Sequence, residues 1–230
     1  MQCEIADLIV EVPEAGDLVP RCKDYLIEGT ATPDIVIKEE RFRKEKLESL
    51  GHDLGIYMES GCAFLTDILN FEGTYLHSSA IAYQGKAYLF SGRSGVGKST
   101  HTNMWKKLFG EEVQIFNDDK PALRLIDGTW YAYGTPWCGK DGININMKVP
   151  VAGICFMKQG KQNKIRRLSN TEAVQQILPQ TLQNIRSPER MLRQLDMIGK
   201  LVERIPVYEL ENLPNEEAAR LSYETMRQGL

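Results

Sequence analysis

The chain has 230 residues, 42% hydrophobic and 26% charged, with 28 Lys+Arg against 31 Asp+Glu for a formal net charge of −3. That length buries a full-size core without a metal or disulfide staple, and the slightly acidic balance excludes the basic footprint of a general nucleic-acid binder. Cys3, Cys22, Cys62, Cys138 and Cys155 form no Cys-x-x-Cys pair, so neither a structural zinc site nor a secreted disulfide framework is expected, and a reducing cytoplasm is. No basic segment followed by an apolar run opens the chain, and no long apolar stretch occurs. Neither a signal peptide nor a membrane partner is expected.

Alternation of Ile5, Leu8, Val10 and Val12 predicts a strand over residues 4–12, broken by Pro13, Gly16 and Pro20. Ile35, Val36 and Ile37 predict a second, over residues 34–38. Arg41, Arg43, Lys44 and Lys46 are diluted by Glu39, Glu40, Glu45 and Glu48 and read as a solvated helix face. Helices are expected over residues 40–50 and 54–70, the second burying Ile56, Met58, Phe64, Leu65, Ile68 and Leu69. Residues 75–91 read as two strands joined at Gln84-Gly85, followed by a glycine-rich loop. A helix over residues 100–109 then ends at Gly110. A strand over residues 113–117 ends on Asp118-Asp119, and strands 122–126 and 129–133 flank the hairpin turn Asp127-Gly128.

The long loop over residues 134–146 reads as functional. Residues 151–157 form a buried strand with 164–168 as its neighbour. Ser169 and Glu172 form a capping box for a helix running towards Arg186, and Ser187-Pro188 opens another. On the latter, Met191, Leu195, Ile198, Leu201 and Val202 form a core stripe; Arg186, Arg190 and Arg193, spaced four and three apart, read as an exposed helix face, with an anion-facing stripe as the alternative. A strand at 207–210 and a helix at 216–227 close the chain. No linker divides it: the expectation is one α/β domain, residues 1–230, with an N-terminal α+β part (1–74), a core (75–170) and C-terminal helices with a short strand (171–230).

The chemistry centres on Gly92-Arg93-Ser94-Gly95-Val96-Gly97-Lys98-Ser99, a complete Walker A sequence between a strand and a helix. Its glycines let successive N–H groups turn inward as an anion nest, continued by Thr100 on the helix whose positive end faces the same phosphates. Lys98 reaches the β/γ-phosphates and the Ser99 hydroxyl coordinates Mg²⁺, so a nucleoside triphosphate or related phosphoanhydride is the expected ligand: ATP with Mg²⁺ as the cofactors, the motif leaving GTP and pyrophosphate open. Asp118 and Asp119 end a nearby strand, where one carboxylate can hold the metal and the other accept a proton from an attacking hydroxyl. His77 stands at the start of the hairpin before the loop. His101, on the first turn of the helix, reads as solvent-facing. In the Gly134-Thr135-Pro136-Trp137-Cys138-Gly139-Lys140 segment, Trp137 offers a ring to stack on a base or substrate, and Lys140 a cation for a phosphate or acidic acceptor.

In this arrangement the chain resembles the HPr kinase/phosphorylase and phosphoenolpyruvate carboxykinase superfamily, strongly over residues 76–119. That family places its P-loop after a β-hairpin, carries a histidine upstream of the P-loop lysine, and has a strand ending in two aspartates after the loop's helix. Here His77 stands twenty-one residues before Lys98. Short bacterial HPr-kinase-like proteins are also similar, through His77–Ser79, Gly95–Thr102, Asn117–Pro121 and Gly134–Lys140. The resemblance implies a mixed-sheet P-loop nucleotide-binding core with a small N-terminal extension. It implies a kinase whose Asp118 is the general base (or, in a phosphorylase direction, the acid), with His77 tuning that carboxylate. Asp119 and Ser99 would handle the metal, and Lys98 would stabilise the transferring phosphoryl group. The acceptor is a hydroxyl on a protein, a peptide or a small molecule. The stretch before His77 is too short for the separate N-terminal domain of HPr kinases, so any homo-oligomer would differ from their rings. The alternative class is a nucleotide-binding switch or NTPase acting through a partner protein.

Overall fold

In the computed structural model, residues 1–181 and 187–229 are described; Arg186, assigned above to a cationic helix face, lies outside them. The strands are β1 (Gln2–Ile5), β2 (Leu8–Glu11), β3 (Ile35–Val36), β4 (Gly73–Tyr75), β5 (Ser78–Tyr83), β6 (Lys86–Ser91), β7 (Gln114–Asp119), β8 (Ala122–Ile126), β9 (Thr129–Tyr133), β10 (Lys148–Gln159), β11 (Lys164–Arg167) and β12 (Val207–Asn212). The helices are α1 (Leu18–Cys22), α2 (Lys44–Leu50), α3 (His52–Asp67), α4 (Lys98–Phe109), α5 (Asn170–Ile177), α6 (Pro188–Arg204) and α7 (Glu216–Met226). Among the described residues, no helix is long and apolar enough to cross a membrane.

A nine-stranded mixed sheet carries the order β4-β8-β9-β10-β6-β5-β7, with β12 also on β10 and β11 on β12. Strand β10 holds it together. Its first residues pair antiparallel with β9, and the rest run parallel to β6 on one side and β12 on the other. Its side chains alternate between two cores, with a bulge between Val151 and Gly153 shifting the register by one. Val149, Val151, Ile154 and Phe156 therefore face α5 and α6 through Ile177, Ile198 and Leu201. Ala152, Cys155 and Met157 face the other way, towards Trp105, Leu210 and Ala219 beneath α4 and α7. On β6, Ala87 and Leu89 join the first core and Tyr88 and Phe90 the second, the period-two split of a sheet covered on both faces.

A separate three-stranded sheet, β1-β2-β3, packs with α1 and α3 into a third core that also takes Tyr75, Ala122, Tyr133 and Trp137 from the large sheet and the loop after β9. The single strand expected over residues 4–12 is a hairpin: Ala6 and Asp7 both adopt positive φ, 55° and 56°. The turns at Gln84-Gly85 and Asp127-Gly128 do the same with residues better suited to it. The capping box at Ser169 and Glu172 forms, but its helix stops at Ile177. Strand β11 pairs with β12 rather than with β10. On α6 the buried stripe is Met197, Ile198, Leu201 and Val202, while Leu195 is 39% exposed; Met58 of α3 is likewise exposed. Arg190 and Arg193 lie on an ion-paired face, with Asp67 and with Glu189.

The loop after β9 folds back along β7, Ile145 donating to Phe116 O at 2.8 Å and Gly134 to Met147 O at 3.0 Å. The strands pass so closely here that a Cβ on Gly134 would stand 1.8 Å from the carbonyl oxygen of Ile145. Gly134→Ala is therefore expected to lower unfolding stability by about 1–3 kcal/mol, the scale of overpacking a tight contact. Chemical denaturation of the two proteins checks it.

Candidate active site

Strand β5 lies between β6 and β7 and runs antiparallel to both. Its beginning therefore meets the ends of the other two, and this places His77, the loop after β6 and Asp118-Asp119 at one point. Ser78 sits opposite Ser91 on one side and Asp119 on the other; Ser79 sits opposite Phe90 and Asp118. Ser91 Oγ donates to His77 O at 2.8 Å, fixing the entry to β5 against the exit of β6. The Ser79 and Thr102 hydroxyls, 3.1 Å apart, tie β5 to α4.

Gly92, Gly95 and Gly97 carry the loop through φ of 143°, 78° and 101°. At Gly92 a Cβ would also stand 2.9 Å from Met157 O, so the sharp exit from β6 requires glycine. Gly97 is the N-cap of α4 and has no side chain to offer it, leaving first-turn N–H groups to a ligand. Arg93, Ser94, Gly95 and Thr100 are exposed, while Val96, Gly97, Lys98 and Ser99 are half-buried. Lys98 Nζ curls back to Gly92 O at 3.4 Å. Burial lowers its pKa below the ordinary lysine value, opposed by the charges of Asp118 and Asp119.

The two acids divide between two partners. Ser99 Oγ donates to Asp118 Oδ2 at 2.9 Å. Asp119 turns the other way: Oδ1 is 3.2 Å from His77 Nε2, and Oδ2 is 3.3 Å from the Nζ of Lys120. His77 Nδ1 is in turn 3.1 Å from Gln180 Oε1. This pairing is the reverse of the expected one, in which His77 stood with Asp118 and Ser99 with Asp119. Strand alternation sets the two acids on opposite faces of β7, and His77 lies on the face of Asp119 while Ser99 lies on that of Asp118. Burial pushes the Asp119 carboxyl up, but His77 and Lys120 outweigh it and hold the group below the ordinary aspartate value. Asp119 also carries φ 129°, a conformation that non-glycine residues adopt only where the surroundings impose it.

The loop after β9 contributes by its backbone. Cys138 bridges to Asp119 and the Gly139 amide donates to Asp118 O. Trp137 is not a stacking surface for a ligand: it is 0% exposed, stacked on Phe64 at 4.8 Å with Nε1 donating to Ser60 Oγ at 3.1 Å. Lys140 is exposed just beyond. His101 does not face solvent either; it is buried, Nε2 3.0 Å from Ser222 Oγ of α7. Lys120, 5% exposed, was legible only as part of the Asn117–Pro121 segment, and Gln180 had no local signal.

Two cavities flank the loop. One of about 670 Å³ begins at Gly92, Arg93 and Ser94 and is walled by Lys158, Gln180 and Glu209. The other, of about 400 Å³, runs from Gly97 along Thr100 and Met104 of α4 to Asn212 and Pro214.

Comparison with known proteins adds a distant likeness. No protein-family model matches the chain, and no curated protein is similar to it in sequence. Among solved structures, an HPr(Ser) kinase/phosphatase from Coxiella burnetii is similar at 12% identity and a TM-score of 0.37, over 67% of this chain and 93% of that one.

Burial lowers the His101 pKa to about 4 from 6.5. Because the folded pKa lies below the unfolded one, the neutral imidazole's contribution is intact above pH 6.5 and is lost as pH falls towards 4. Unfolding free energy should drop by up to ~3 kcal/mol across that window through this residue. In denaturant titrations at pH 7 and 4.5, His101→Gln should flatten the difference.

Proposed function

We propose that the chain is a Mg²⁺- and ATP-dependent kinase transferring the γ-phosphoryl group to a hydroxyl. The observation that carries this reading is the bond from Ser99, on the phosphate loop, to Asp118, on a separate strand, with a second carboxylate beside them held by His77 and Lys120. A nucleotide-dependent switch needs the first pair only. A phosphotransferase needs both.

The oxygen-only pair Ser99 and Asp118 fits the donor preference of Mg²⁺, and the two would hold it together. Bound there, Mg²⁺ and ATP would supply charge neutralisation and the transferable group. Lys98 stabilises the charge on that group. Asp119 is then the general base, in place of the Asp118 suggested by resemblance. It receives the acceptor's hydroxyl proton as the acceptor oxygen takes on the phosphoryl group, and in the reverse direction returns it. His77 and Lys120 orient that carboxylate and keep it ionised. With Lys98 and the Ser99–Asp118 pair marking the γ-phosphate end, the larger cavity beside Gln180 receives the acceptor. The smaller one along α4 receives the nucleoside.

With γ-labelled ATP, Mg²⁺ and lysate of the source organism, label should appear in a protein, peptide or small-molecule fraction. Lys98→Ala should slow transfer by at least ~10²-fold, the scale of losing one charge-stabilising donor. Asp119→Asn should abolish transfer while sparing ATP binding, and Asp118→Asn should raise the Mg²⁺ requirement. Free phosphate as the sole product would favour the switch, and undiminished transfer by Asp119→Asn would remove the base.

A pH profile tests the tuning. Lys120→Met removes a partner that holds Asp119 low and leaves burial to raise it, so the acid limb of the rate profile should move to higher pH. An unmoved limb would mean that Asp119 does not set it.

A further inference from the structure

We infer that Arg21, on α1 in the N-terminal part, is a positioning residue for the acidic pair; this rests on the kinase reading above. Arg21 lies far from the P-loop in sequence and touches neither aspartate. Its Nη1 is 2.8 Å from Cys138 Sγ, 3.3 Å from Cys138 O, 3.4 Å from Gly139 O and 3.0 Å from Tyr57 Oη. The guanidinium carbon lies 4.5 Å from the centre of the Tyr57 ring, and the Arg21 carbonyl accepts from Asn144 Nδ2 at 2.8 Å. One residue thus holds the loop that returns along β7 at two points, its guanidinium at Cys138 and Gly139 and its backbone carbonyl at Asn144.

The next link is backbone. Tyr57 Oη accepts from the Cys138 amide at 2.7 Å and donates to the Cys138 carbonyl at 2.9 Å. Cys138 bridges to Asp119, and Gly139 donates to the carbonyl of Asp118, so closely that a Cβ on Gly139 would stand 3.0 Å from that oxygen. Asp119 is held at φ 129° by these neighbours, and relaxation of that angle would swing its carboxylate off His77. A guanidinium whose carbon lies over an aromatic ring while its Nη1 reaches two successive carbonyls combines two contacts that the shorter point charge of lysine does not reproduce equally. The N-terminal part therefore sets the aim of the base while leaving the nucleotide site alone.

The test compares wild type, Arg21→Ala and the milder Arg21→Lys by three readings: ATP affinity, turnover at saturating Mg²⁺-ATP, and amide exchange at Gly139. Arg21→Ala should keep its ATP Kd within about twofold yet lose about ten- to a hundredfold in turnover, the scale on which small misplacements act. Gly139 exchange should rise while α4 stays protected. Millimolar guanidinium should restore part of the Ala variant's turnover, and Arg21→Lys should remain impaired. Unchanged Gly139 exchange, or unchanged turnover despite faster exchange, would overturn the inference. So would a loss of ATP affinity equal to the loss of turnover, since that marks general destabilisation. Absence of turnover in the wild-type protein would instead refute the kinase reading, and Gly139 exchange would still decide whether Arg21 holds the loop.

Discussion

The site depends on one topological constraint, the insertion of β5 antiparallel between β6 and β7. Two strands separated by a single antiparallel neighbour run parallel to each other, so their carboxyl ends emerge at the same edge and the amino end of the middle strand emerges between them. The glycine loop, the acidic pair and His77 are brought together by that order alone. Ser78 and Ser79 are buried where side chains of the three strands crowd, and their hydroxyls find partners in Leu76 O and Thr102. A larger residue at Ser79, which faces α4, would push that helix and its loop away from the acids.

Holding two carboxylates and two lysines at a half-buried edge is costly unless each finds a partner. Here the charges are matched in a fixed pattern. Asp119 is flanked by His77 and Lys120, Asp118 accepts from Ser99, and Lys98 rests on the carbonyl of Gly92 with both aspartates near enough to oppose its desolvation. The unusual backbone at Asp119 costs on the order of 1–3 kcal/mol. The loop after β9 offsets it by adding a strand-like bridge at that residue, and the loop is itself anchored by Trp137 in the N-terminal core. The N-terminal part is thus mechanically continuous with the site although it supplies no side chain to it.

Much of this was legible in the chain. The Asp127-Gly128 hairpin lies where its turn chemistry places it, with strand bounds as read, because such a turn specifies its register locally. The strand–loop–helix around Gly92–Ser99 was equally plain. What failed depended on distant neighbours. Ala6-Asp7 is not a residue pair that announces a hairpin, and its turn is held by the sheet around it. Trp137 and His101 looked available because a loop and a first helical turn are usually exposed; α3 and α7 cover them. The partners of Asp118 and Asp119 were exchanged because adjacency in sequence says that two strand residues face opposite ways, but not which face holds the histidine. Arg21 and Gln180 are single residues whose roles appear only after folding.

The exchange has a chemical consequence that favours the observed arrangement. A carboxylate that shares a metal with a loop serine must stay close to the phosphates, and its lone pairs are then committed to the cation. A base must instead present an oxygen to an incoming hydroxyl from outside that cluster. Asp119 stands on the side of His77 and Gln180, and Gln180 also walls the larger cavity at Gly92. Asp118 stands on the side of Ser99 and α4. On the proposed kinase reading, strand alternation would therefore separate the two tasks by a backbone's width. The same two acids make the burial of Lys98 tolerable, since their charges oppose the desolvation of its ammonium, and phosphate bound in the glycine loop would oppose it further.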